Sequence, residues 1–350
     1  MLFLAAVIKA VDEHQDLLRI SVASAGNDHR LGANEAPPAI VSIFLGTQLT
    51  EVLEAISDGR VWEPTPAKAL KLSDDTVPTL MQDNTDRNRT SPFAFTGNKF
   101  EFRMLGSSAS VSGPNIMLNT IVADALNVLV DKIEGADDVN EAVYAVVRDV
   151  YNAHKRIIFN GNGYSDEWVA EAARRGLLNL KSTPECLPLL ADSKNVELLA
   201  KYGIFTPEET TSRVHILLEN YSKTIAIEAD AALDMLYKDI LPGIEAYVSD
   251  LTKATLRKKQ VGITSSFEVD LAGKISDIAS EIYERAEKLT FVKKDVAAIA
   301  SENEKATAYH EQVLAAMQAL REKVDEVEPL IAQKYLTYPT YGQLLFGVND

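Results

Sequence analysis

Cysteine is almost missing from this chain. Cys186 stands alone in 350 residues, so no internal disulfide can form and stability has to come from packing. Such usage fits a reducing compartment, and a cytoplasmic protein is expected. Positive charge is scarce as well: 35 lysines and arginines face 51 acidic residues, for a formal net charge of −16. The long-range field of such a chain repels phosphate backbones and anionic lipid, so neither nucleic acid nor a membrane surface is an expected partner. A long hydrophobic run is also lacking. The opening MLFLAAVIKAV is apolar, but Lys9, Asp12, Glu13 and Asp16 follow too soon for the ~20 residues of a membrane span. It has neither the basic beginning nor the small-residue cleavage site of a signal peptide, which leaves a buried helix as the expected state. A chain that opens inside a helix, with no capping residue ahead of it, reads as cut from a longer protein.

What is present describes a folded protein. At 46% hydrophobic and 25% charged, the chain can bury a substantial core and fill more than one domain. Apolar spacing predicts a helix over 1–23, ended by Ala25-Gly26-Asn27-Asp28. After Pro37-Pro38 the β-branched run 39–45 suits a buried strand, and a helix follows over 49–56. Residues 58–89 are polar and rich in proline and aspartate, which reads as a long loop serving a site. Alternation over Lys99–Met104 predicts a half-buried strand with its charged residues on one face. Pro114 suits the first turn of an apolar helix over 115–130.

After about residue 136 strand signals nearly vanish, which places a domain boundary there and gives an α+β chain with a helical C-terminal region. Helices are expected over 141–154, 166–174, 196–202 and 207–241, with Pro242-Gly243 interrupting the last. Thr206-Pro207-Glu208-Glu209 is a strong helix start. A heptad seam runs from Val292 through Asn303 and His310 to Ile331. An upstream partner over 271–289 makes an antiparallel helical hairpin the expected arrangement.

Three clusters could carry chemistry, and composition leaves each open. His29–Pro38 is a polar loop able to bring Arg30 and Glu35 to a ligand, or simply a solvated loop. Asp86–Pro92 sets Arg87 and Arg89 beside small hydrogen-bonding residues, where arginine forks could clamp phosphate or form surface ion pairs. Lys99, Glu101 and Arg103 share a strand face, where the carboxylate could neutralise two cations or hold a metal ion. Other features carry less. Asn303 and His310 read as register-setting residues in the seam. His154 and His215 stand without acidic companions in the sequence. Asn160-Gly161-Asn162-Gly163 reads as a turn, because it lacks the strand and the full fingerprint of a phosphate loop.

The segments RLGANEAPPAI, DRNRTSPFAF and NKFEFRMLGSS, in that order, resemble the glutamine synthetase family. NGNGYSDEW, EAARRGLLNLKSTPECLP and YGIFTPEE extend the likeness to type III over most of the chain. The resemblance implies an ATP-dependent ligase that phosphorylates the side-chain carboxylate of glutamate and lets ammonia displace the phosphate, with Mg²⁺ or Mn²⁺. It implies that residues 1–135 are the C-terminal part of a catalytic domain, with an incomplete active-site β-sheet or barrel, followed by a helical region over 136–350. Matched residue by residue, Arg30 and Arg103 would bind glutamate. Glu35 would cover the site and help deprotonate ammonium, Arg89 would bind ATP phosphates and stabilise the transferring charge as a catalytic residue, Lys99 would bind nucleotide phosphate, and Glu101 would be a metal ligand. A homo-oligomeric ring is implied.

The sequence departs from the family pattern at several points. The step from Arg30 to Glu35 is one residue shorter than the common spacing. Pro92-Phe93-Ala94-Phe95 stands where a second arginine is usual. The family's other metal-binding glutamates and its metal-binding histidine have no match here, so the fragment alone is expected to be inactive. The alternatives are a γ-glutamylamide synthetase using another amine, and a helical interaction module.

Overall fold

The computed structural model describes residues 1–33, 36–63, 69–70, 80–81 and 90–347. They form two compact units, Met1–Leu217 and Leu218–Asp350. The composition change near residue 136 therefore falls inside the first unit. The described residues are mostly helical, with a small mixed sheet.

In the first unit, α1 (Leu2–Glu13) and α2 (Gln15–Ile20) replace the single helix expected over 1–23. The break at His14 has a local cause: Gln15 Nε2 donates to the Asp12 carbonyl at 2.9 Å, so a side chain takes an acceptor that the helix would use. Residues 25–28, expected to end the helix, form a single turn of their own, α3 (Ala25–Asp28), whose Ser24 cap accepts from the Asn27 amide. The run 39–45 is buried throughout, yet only β1 (Ile43–Phe44) pairs as strand. Just upstream the chain turns sharply, with the Ile40 amide donating to the Pro38 carbonyl at 2.7 Å, which withdraws that stretch from any ladder.

Next comes α4 (Thr47–Ser57). The long loop expected over 58–89 lies mostly outside the described residues; within it, β2 (Ala69–Leu70) and β3 (Leu80–Met81) pair antiparallel. The main sheet has strand order β1, β4 (Phe93–Phe95), β5 (Phe100–Phe102), with β4 parallel to β1 and antiparallel to β5. The outer side of β1 carries a further parallel bridge, Ile43 to Ile158.

The helical part of this unit consists of α5 (Ser112–Asp131), α6 (Val139–His154), α7 (Asp166–Arg174), α8 (Thr183–Cys186), α9 (Ser193–Lys201) and the start of α10 (Pro207–Met235). Asp138 and Ser165 cap α6 and α7 through backbone amides, and Thr206 with Glu209 closes a reciprocal box at α10. The core is built where α1 packs on α5 and α6. Ile8, Val11, Ile121, Leu129 and Val147 are almost wholly removed from solvent, each contributing about 1.5–3 kcal/mol. α5 has the length and hydropathy of a membrane span, but Met117, Ile121, Ala125 and Leu129 lie in this core.

His154 is not without acidic companions. Its Nδ1 lies 2.8 Å from Asp12 Oδ2 and its Nε2 lies 3.8 Å from Glu13 Oε1. Arg156 Nε donates to the other oxygen of Asp12 at 2.8 Å. The partners are 142 residues apart in sequence, and they tie α6 to the end of α1. Cys186 is buried, which pushes its thiol up to about 12 and leaves it unreactive.

The second unit holds the rest of α10, then α11 (Leu241–Gln260), α12 (Ser266–Ala297), α13 (Glu302–Ala308), α14 (Leu314–Val327) and α15 (Tyr341–Phe346). Pro242-Gly243, expected to interrupt the helix before it resumes toward Leu251, lie inside α11, which has already begun at Leu241. The wider π turn Leu236–Ile240 precedes it and absorbs the missing amide and the ring clash of proline. Gly243 also meets the tail: a β-carbon there would lie 2.5 Å from the Tyr335 carbonyl.

Side-chain pairs fix the helix directions. Lys258 pairs with Glu268 and Lys293 with Asp230, so α12 runs back along α10 and α11. Arg285 Nη1 donates to the Ala319 carbonyl at 2.9 Å and Lys323 pairs with Glu281 at 2.7 Å, so α14 runs antiparallel to α12. The heptad count from Val292 to Ile331 crosses a helix end at Ala298–Ser301, and Asn303 is exposed rather than seated in a seam. His310 lies in a π turn, its Nδ1 3.0 Å from the Tyr221 hydroxyl.

Candidate active site

Alternation on β5 decides the first part of the site. Phe100 and Phe102 turn to one face, where both rings meet Phe93, at centroid distances of 5.0 and 5.9 Å. The opposite face gathers Lys99, Glu101 and Arg103. Arg103 Nη2 donates to Glu101 Oε2 at 2.7 Å and its Nε reaches the same oxygen at 3.2 Å. Lys99 Nζ lies 3.4 Å from the other oxygen.

These partners, the Arg103 hydrogen bonds first, hold the Glu101 carboxyl below the usual glutamate range. A depressed carboxyl pKa stabilises the fold fully above the ordinary value, and that contribution disappears as pH falls through the lowered one. Glu101 is therefore a fixed anion between two cations.

Arg30 approaches the far end of the same strand. Its Nη2 donates to the carbonyls of Arg103, Met104 and Leu105 at 3.3, 2.8 and 3.1 Å, and its Nε to Asn27 Oδ1 at 3.1 Å. The loop after it closes on itself: Gly32, at φ 76°, donates its amide to the Pro37 carbonyl at 3.0 Å, a conformation that a β-carbon would oppose. Beneath this loop lies a buried ion pair. Arg19 Nη2 meets Asp28 Oδ1 at 2.7 Å, with both side chains at most 5% exposed. Asp28 also accepts from the Thr183 amide at 2.6 Å and the Thr183 hydroxyl at 2.9 Å.

The turn Asn160–Gly163 braces the sheet from the other side. Asn160 Oδ1 accepts from the amides of Leu45 and Gly46 at 3.1 and 3.0 Å. The Gly163 amide donates to Thr90 Oγ1 at 2.9 Å, and a β-carbon on Gly163 would lie 2.4 Å from the Thr90 carbonyl. Glycine is thus required at the entry to β4.

The structure brings Lys99, Glu101, Arg103 and Arg30 onto one short strand and its exit. Glu35, Arg87 and Arg89 lie outside the described residues. Sequence reasoning passed over Arg19, Asn27, Asp28, Asn160 and Thr183, whose roles depend on partners as many as 162 residues away. A charged residue set between Leu17-Leu18 and Ile20 was a usable signal for Arg19. Among the described residues no group of three or more His, Cys, Asp or Glu side chains could hold a metal ion. Glu101 offers one carboxylate, already bonded to two cations, so the described residues do not form a complete divalent-metal site.

Comparison with known proteins decides the family. The family model "Glutamine synthetase C-terminal domain" matches residues 142–259. The chain is 45% identical to a glutamine synthetase of Butyrivibrio fibrisolvens, across 100% of this chain and 50% of the relative. It is 38% identical to a Type-3 glutamine synthetase of Dictyostelium discoideum, across 99% of this chain and 48% of the relative. The chain belongs to the glutamine synthetase family. A glutamine synthetase of Bacteroides fragilis (strain YCH46) is also 38% identical, over 98% of this chain and 49% of its own length. The chain therefore spans about half the length of the curated relatives it matches. The matched family model covers α6 to most of α11, while the charged strand face and Arg30 lie upstream of it.

Proposed function

We propose that this chain supplies part of a glutamine synthetase active site, in a full-length protein that joins ammonia to glutamate at the expense of ATP. The observation that carries this reading is the likeness at 38–45% identity to three relatives named glutamine synthetase, across 98–100% of the chain. Support comes from the cationic face on β5, which suits substrates bearing carboxylate and phosphate.

In the proposed reaction the γ-phosphoryl group of ATP is transferred to a γ-carboxylate oxygen of glutamate. Ammonia then attacks the acyl carbon, the carbon–oxygen bond to the phosphate breaks, and phosphate leaves. Arg30 and Arg103 hold the glutamate carboxylates. Glu35 draws in ammonium and accepts its proton as general base. Arg89 stabilises charge on the transferring phosphoryl group, and Lys99 adds a point charge for the nucleotide. Mg²⁺ or Mn²⁺ would neutralise phosphate charge, with Glu101 as one ligand and the others from the part of the relatives' length that this chain does not cover.

On this reading, residues 1–135 belong to the catalytic domain and its barrel, and 136–350 form a helical region that supports a homo-oligomeric ring in the cytoplasm. The antiparallel helices α12 and α14 favour that assembly role. The chain alone turns nothing over. Product analysis of the full-length protein with glutamate, ATP and either ammonia or small primary amines tests the assignment. Glutamine as the preferred product is expected; a γ-glutamylamide formed faster from an amine would move the protein to the related synthetases.

A further inference from the structure

Asn27 lies 3% exposed at the junction of three segments. Its Nδ2 donates to the Val22 carbonyl at 2.8 Å, just beyond α2, and to the Met104 carbonyl at 2.9 Å, beyond β5. Its Oδ1 accepts from Arg30 Nε at 3.1 Å. Both side-chain donors and one acceptor position are thus engaged. The Met104 carbonyl receives Arg30 Nη2 as well, at 2.8 Å, so Asn27 and Arg30 meet at one backbone oxygen next to Arg103. The Arg103 amide in turn donates to the Pro92 carbonyl at 2.7 Å.

Geometry of this kind fixes direction. A guanidinium that lost its Nε acceptor could turn about its own stem, and a strand exit that lost its amide clamp could shift Arg103 relative to Arg30. Glutamate carries two carboxylates at a set separation, so its affinity depends on where two guanidinium forks stand with respect to each other. A β-carbon at Gly106 would meet Asn27 Oδ1 at 3.4 Å, an ordinary van der Waals contact.

We propose that Asn27 is a positioning residue that sets the spacing of Arg30 and Arg103 and so controls glutamate affinity without touching glutamate. This rests on the reading of those two arginines as the glutamate-binding pair. In the full-length enzyme, Asn27→Ala is expected to raise the KM for glutamate roughly tenfold, the loss of one hydrogen bond to a charged group. The KM for ATP should stay close to wild type, while the thermal midpoint falls by a few degrees because the buried Val22 carbonyl loses its donor.

Arg30→Lys is the companion variant. Alone it should also raise the KM for glutamate, and in combination Asn27→Ala should add little, because both act through one guanidinium. If Asn27→Ala loses its fold, Asn27→Asp keeps the oxygen that accepts from Arg30 Nε while giving up the bonds donated to Val22 and Met104, and should show the same split. A folded Asn27→Ala or Asn27→Asp enzyme with wild-type glutamate KM, beside an Arg30→Lys enzyme whose KM rises, overturns the positioning role and leaves the arginine reading intact. Full additivity of the two variants, or an equal rise in both KM values, overturns it too. Unchanged glutamate KM in Arg30→Lys removes the arginine reading itself, and the proposal with it.

Discussion

Glu35→Ala and Arg89→Ala, each made in the full-length protein, are expected to lower turnover by about 10²- to 10³-fold, with thermal midpoints near wild type. A positioned general base contributes on this scale because it removes a proton as the new bond forms. An arginine facing a transferring phosphoryl group contributes similarly, because its charge is held in place before it is needed. Both residues sit in polar stretches, so truncation removes little packing. Arg89→Lys should recover only part of the loss, since an ammonium supplies charge without the two-pronged fork. Single-turnover rates measured alongside thermal unfolding would separate the two effects, and wild-type turnover in either well-folded variant rejects that residue's assignment.

Arg19→Ala should produce the largest stability loss of any single replacement near the site. The arginine is 1% exposed, and it bonds Asp28 and the carbonyls of Leu180 and Lys181. Removing it strands the Asp28 carboxylate in a buried setting with only its Thr183 donors. Breaking a buried pair from one side costs about 3–5 kcal/mol. Urea titration of the chain should show the transition of the first unit moved to lower denaturant. The double variant Arg19→Met with Asp28→Asn should lose less than the sum of the singles, because the charge left behind is gone. A strictly additive double variant would mean that the pair is not coupled. Asp28 directly follows Asn27, so the single variant should also disturb Arg30.

Helix starts were the most legible part of the fold. Thr206 before α10 is a local signal with a local cause, and its hydrogen bonds with Glu209 are present. The charged face of β5 was equally readable, since a period of two needs only neighbouring residues. Lengths and breaks were harder. β4 has three residues, Phe93–Phe95, and holds its place by pairing on both sides rather than by its own pattern. The π turn that carries the chain through Pro242, and the helix end at Ala298 that interrupts the heptad count, come from tertiary packing that periodicity does not encode.

The site divides along the same line. Arg30, Lys99, Glu101 and Arg103 were found because they are close in sequence or stand in recognisable segments. Their supports were not, because Asp28 needs Thr183, Leu45 needs Asn160 and Thr90 needs Gly163. Those partners are separated by 155, 115 and 73 residues. Each support is an ordinary polar residue whose meaning is set by what folding brings beside it.

On the proposed function, the γ-carboxylate of glutamate is phosphorylated before the carbon–nitrogen bond forms. Full-length protein supplied with ATP, ammonia and glutamate carrying a heavy oxygen isotope in its γ-carboxylate tests this directly. Displacement of phosphate breaks the carbon–oxygen bond of that carboxylate, so glutamine together with labelled inorganic phosphate is expected. Glutamine formed alongside phosphate free of the label would contradict it.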